Sequence, residues 1–105
     1  MNVRNMREES EFLPAATGAA ELNVQTAVVE AKDTAMPTGA THAMIGVKTA
    51  TVHMGFGRDP ADGGAGIPLT AGTIRILNAK AWAQARFIRG AGSNAVVSVE
   101  FGTFA

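Results

Sequence analysis

A chain of 105 residues holds one ordinary domain and not two. Nine Lys and Arg balance nine Asp and Glu and there is no cysteine, which removes the basic excess of a nucleic-acid binder and, with it, disulfides, thiolate metal sites and thiol nucleophiles. Hydrophobic residues make up 47%, a globular composition, yet no apolar stretch approaches the roughly 18 residues of a membrane span, and the polar opening does not read as a signal peptide.

Residues 1–20 read as an extended arm. Arg4, Arg7, Glu8, Glu9 and Glu11 mix signs, and Phe12, Leu13 and Pro14 lead into a run of small residues from Ala15 to Ala20. Such a segment has too little apolar surface to fold on itself. The domain proper is therefore expected over residues 21–105, with the arm available to grip a neighbouring chain.

From Leu22 onward the pattern is that of strands. Leu22, Val24, Thr26 and Val28 share one face of a first strand, with Asn23 and Gln25 opposite. Met44 to Lys48 and Thr51 to Gly57 follow, and in the latter Val52, Met54 and Phe56 alternate with Thr51, His53 and Gly55. A period of two favours half-buried antiparallel strands. The segment from Arg58 to Gly66, with Pro60 and three glycines, reads as a long exposed loop. Thr73 to Leu77 gives the next strand.

Residues 78–90 carry two patterns. Asn78 suits a helix N-cap, and Ala81, Trp82, Ala85 and Ile88 form a helical stripe, but Ala83, Ala85 and Phe87 also alternate. The reading adopted is a short helical turn over Ala79 to Trp82 that runs into a strand. Ala85 to Arg89 and Ala95 to Phe101 are then expected as a hairpin across Gly90 to Asn94, with Val97, Val99 and Phe101 facing the core. Short strands with connections too short for crossover helices predict an all-β fold, a small antiparallel β-sandwich or jelly roll, with a barrel as the alternative.

Little in the chain points to chemistry. A cupin-type metal site needs three or four converging ligands, and His42 and His53, the only histidines, stand without a neighbouring Glu. Asp59 and Asp62 fall far short of a calcium loop, and the glycines around them lack the lysine of a phosphate loop. Ser93 and Ser98 have no histidine near in sequence and no nucleophile-elbow pattern. No catalytic residue, metal ligand or cofactor is expected. Trp82, the sole tryptophan, is read equally as core packing and as an interface anchor. The residues singled out for protein contact are Arg4, Arg7, Phe12 and Leu13 in the arm, Arg58 and Asp59 in the long loop, and Trp82.

A resemblance narrows the class. The stretches Met44-Ile45-Gly46-Val47, Ala50-Thr51-Val52, Gly66-Ile67-Pro68-Leu69-Thr70-Ala71-Gly72, Ala85-Arg86-Phe87-Ile88-Arg89 and Ala95-Val96-Val97-Ser98-Val99-Glu100-Phe101-Gly102 together resemble small virion structural proteins of tailed bacteriophages. The resemblance spans somewhat over half the chain. It implies a β-sandwich without enzymatic activity, located in the virion and made in the host cytoplasm. The role implied first is capsid decoration, or cement, with the major capsid protein as partner and a homo-oligomer such as a trimer as the working form. A head-to-tail connector or tail-assembly protein is the alternative, and a small cupin-like ligand-binding module or enzyme stands behind both.

Overall fold

The structure, a computed structural model, describes residues 12–62, 64–90 and 92–104. Arg4 and Arg7 lie outside the described residues. The elements in chain order are β1 (Phe12–Val24), β2 (Val29–Glu30), a 3-10 turn (Ala31–Asp33), β3 (His42–Lys48), β4 (Val52–Phe56), β5 (Ile67–Leu69), β6 (Ile74–Asn78), α1 (Ala79–Gln84), β7 (Ala85–Arg89) and β8 (Ala95–Phe104).

These strands form two four-stranded sheets, β1-β8-β3-β6 and β2-β7-β4-β5. Every pairing is antiparallel, and four of them join complementary positions in the chain: β1 with β8, β2 with β7, β3 with β6 and β4 with β5. That is one long hairpin with its tip between β4 and β5. Rolling the hairpin on itself brings β8 onto β3 and β7 onto β4, which splits it into two facing sheets. The fold is an all-β sandwich with the strand order of a jelly roll.

Alternation along the strands fills the space between the sheets. The first sheet contributes Leu22, Val24, Ala43, Ile45, Val47, Leu77, Val97, Val99 and Phe101, and the second contributes Val52, Met54, Leu69, Ala85 and Phe87. Neither sheet could bury one face without the other. α1 closes the space between β6 and β7. Asn78 caps it, its Oδ1 accepting from the Ala81 N–H at 2.8 Å, and Trp82 drops from it into the core, only 2% exposed. The indole stands edge-on to Phe101 at 5.2 Å and donates Nε1–H to the Thr34 carbonyl at 3.0 Å, which satisfies its one polar group.

Three expectations change. Residues 12–20 are not arm but the first part of β1, paired with β8 from Phe12↔Phe104 onward. From residue 15 on the pairing rests on backbone and close approach more than on large apolar side chains: a Cβ at Gly102 would collide with the Leu13 carbonyl and the Phe12 ring, and one at Gly18 would press on Phe101. A bulge sets Ala15 to Gly18 against the single residue Phe101 and absorbs the twist. Second, β7 and β8 are not a hairpin, since they lie in different sheets and residues 90–94 cross from one to the other. Third, the first strand stops at Val24, and Thr26 is exposed.

Because Gly102 is a point of backbone contact, Gly102→Ala should lower stability by about 1–3 kcal/mol through overpacking. Gly46→Ala, where an added Cβ meets nothing within 4 Å, should stay within about 0.5 kcal/mol of the parent. Denaturant titration checks both, and hydrogen exchange should localise the first loss to residues 12–14.

Candidate functional site

The two sheets turn very different outer faces to solvent. On the second sheet, Arg86 stands beside Gly55, and the row Ile88-His53-Pro68 runs across β7, β4 and β5. The loop of residues 57–66 folds back over this face, and its described residues other than Pro60 are exposed, as the sequence reading expects. Its Pro60 is buried; a Cβ at Gly66 would run into Pro60, and one at Gly55 would run into the Arg58 carbonyl. Two arginines clamp the loop from below: Arg86 Nη1 donates to Asp59 at 2.7 Å and Arg89 Nε to Asp62 at 2.9 Å. Arg86 also faces Glu30 at 3.8 Å. The Asp59 hydrogen bond raises the Arg86 pKa above its ordinary value, with both nearby carboxylates adding to the effect.

Asp59 and Asp62, weighed above for calcium, are thus occupied by guanidinium groups. His53 alternates with the core residues Val52 and Met54 of β4. It lies under the loop, between Gly66 and Gly90, with its Nδ1 buried and without a hydrogen-bond partner among the described residues. His42 belongs to the other sheet, so the two histidines do not converge. Among the described residues no three His, Asp or Glu side chains gather in a metal-binding group.

Beside the loop is a half-open cleft of about 410 Å³ between Met54, Phe56, Arg58, Pro60 and Ile67. Arg58, one of the sequence-selected residues, reaches its mouth and is exposed; Asp59 lines the same cleft but is held by Arg86. Trp82 is not near it.

No described segment covers the outer face of the first sheet. Across it run the rows Ala19-Glu100-Met44-Ile76 and Glu21-Ser98-Gly46-Ile74, then Asn23-Val96-Lys48. The β1 side is polar, where Lys48 Nζ donates to Glu21 at 2.8 Å and the Ser98 hydroxyl donates to the same carboxylate at 3.3 Å. The β6 side is apolar, with Met44 half-buried and Ile74 and Ile76 at 66% and 43% exposed. Between them Gly46 leaves bare backbone. At the end of the sheet Phe12 meets Phe104 edge-to-face at 5.6 Å, and Phe104 meets His42 at 4.8 Å. This cluster roots the chain that precedes β1, with Leu13 beside it 44% exposed.

The selected residues therefore fall in three places: Phe12 and Leu13 at the root of β1, Arg58 and Asp59 on the loop of the opposite sheet, and Trp82 in the core. The Met44, Ile74 and Ile76 surface went unselected. Its signal is Ile-Arg-Ile-Leu in the strand near Thr73, apolar on both faces, which a one-sided strand does not need. Compared with family models, with curated proteins and with solved structures, the chain matches none.

The Lys48 ammonium, by hydrogen bond and charge, holds the Glu21 carboxyl below its ordinary value of 4.5, with Ser98 assisting. A depressed carboxylate contributes stability above the unfolded pKa and loses it as pH falls through the folded one. In Lys48→Met the Glu21 carboxyl should titrate nearer 4.5 by NMR, and the acid-side loss of stability below that pH should shrink. An unchanged Glu21 titration would show that the pair is not formed in solution.

Proposed function

We propose that this chain is a non-catalytic structural protein of a tailed-phage particle, most directly a capsid decoration protein that binds the lattice of the major capsid protein. The resemblance of residues 43–102 to small virion proteins motivates the reading. The observation that carries it is the outer face of the first sheet, which no described segment covers: it carries exposed Ile74 and Ile76 and bare backbone at Gly46, with Phe12 at its end leading back to the residues that precede β1. Contiguous exposed apolar surface rimmed by polar groups marks a protein contact. A preceding segment adds reach, up to about 3.3 Å per residue, and so enlarges the contact without enlarging the domain. Jelly rolls serve viral shells, lectins and cupins alike, so the fold by itself is only an analogy.

A connector or tail-assembly role uses the same surfaces and differs in copy number. Quantitative mass spectrometry of purified particles separates the two. Copies equal to the major capsid subunit, or a simple fraction of it, support decoration; a handful per particle means a connector or tail role; absence overturns the virion reading.

The β1 boundary sharpens a second test. Deleting residues 1–11 leaves every described strand intact, and the product should keep its unfolding temperature while losing affinity for capsid shells in co-sedimentation. Deleting residues 1–20 removes most of β1 and should abolish folding. Full retention of shell binding by the shorter deletion would exclude the preceding segment from the contact.

A further inference from the structure

We infer that the free edge of β6 is a self-association site, at which two copies of this chain pair their β6 strands antiparallel about a two-fold axis and join their first sheets into one continuous sheet. This goes beyond the virion reading and stands without it.

A jelly roll of two open sheets has four edge strands, here β1, β6, β2 and β5. Exposed edges invite pairing with another chain, and proteins blunt them by shortness, proline or bulges. Three of the four are blunted. β2 has two residues; β5 has three, and its Pro68 has no N–H to offer; β1 is interrupted by the bulge between Pro14 and Ala19. β6 runs for five residues with no proline, glycine or bulge, and no described strand lies beyond it.

The backbone of β6 is also turned the right way. The Thr73 carbonyl accepts from the Val47 N–H at 2.9 Å, so it points toward β3. Alternation then directs the N–H and C=O groups of Ile74 and Ile76 and the N–H of Asn78 to the free edge, the Asn78 carbonyl being turned into α1 as its N-cap.

Charge selects the register. Arg75 is the sole charged residue of β6, and pairing centred on it would set two guanidinium groups directly opposite, an unfavourable arrangement. Pairing centred on Ile76 places Ile76 opposite its own copy, Ile74 opposite Asn78 and Arg75 opposite Leu77. The outward-facing groups of Ile76 and the Asn78 N–H then find partners, the latter at the Ile74 carbonyl. On the outer face the row Met44-Ile76 continues into Ile76-Met44 of the second copy, which sets the two Ile76 side chains side by side as a cross-strand pair. The occupant that satisfies edge and register together, and brings the exposed Ile76 side chains into contact, is a second copy, and a formal net charge of zero leaves the copies no general repulsion to overcome.

The natural absence of cysteine makes the test clean. Sedimentation equilibrium of the full chain across a wide concentration series should show reversible association to twice the 10.8 kDa chain mass, and Ile76→Lys should abolish it while leaving the circular dichroism spectrum unchanged. Under mild oxidation Ile76→Cys should form disulfide-linked dimers at least about tenfold faster than Ile67→Cys, a comparably exposed site on β5, because only the first places its sulfurs within bonding reach. A monomer at every concentration overturns the inference. So does an oligomer that Ile76→Lys leaves intact, or equal crosslinking at the two positions.

Discussion

The antiparallel contact between β1 and β8 holds the two ends of the chain together, and the other pairings nest inside it. Each inner pair, β2 with β7, β3 with β6 and β4 with β5, closes a shorter loop within the one outside it. Loop closure costs entropy before distant contacts repay it, so the pair near the hairpin tip is the least costly to form and the terminal pair the most. The terminal pair is also the tightest sterically. Gly102 lets the Leu13 backbone approach at a distance no side chain would allow, and Phe12 locks that approach against Phe104.

Given that frame, the sandwich has two outer faces to dispose of, and it treats them oppositely. The hairpin tip is long enough to fold back, and it roofs the second sheet with Pro60 while Arg86 and Arg89 hold its two aspartates. A side chain at Gly55 or Gly66 would lift that roof, which explains glycine at both positions. No described segment crosses the first sheet in the same way. Its polar half organises itself through Glu21, Lys48 and Ser98, and its apolar half stays open. One face is finished internally and the other is available.

The strands and their faces were legible in the sequence because a period of two is written by the core itself: Val97, Val99 and Phe101 alternate because the facing sheet requires it. Asn78 announced its helix for a similarly local reason, since the cap is made three residues away at Ala81. What the sequence concealed is pairing. Residues 90–94 have the composition of a hairpin turn, yet they cross between sheets, and nothing local distinguishes the two uses. Residues 15–20 carry small side chains because β1 is held to β8 by backbone, so hydropathy mistook them for arm. For the candidate surfaces, Arg58 and Leu13 were found as exposed residues of suitable type. Asp59 was found but serves the loop clamp. Ile74 and Ile76 were missed because exposure depends on which side of the sheet receives the covering loop, a fact of topology.

Edge protection completes the argument from fold to function. A protein that works alone gains by blunting all its edges, and this one blunts three with separate devices while leaving the fourth long, apolar and continuous with its open face. The unprotected edge and the uncovered face belong to the same sheet and meet at Ile76. Two independent omissions, one of backbone partners and one of side-chain cover, coincide on one strand. That coincidence is the ground on which a second copy is proposed at the β6 edge.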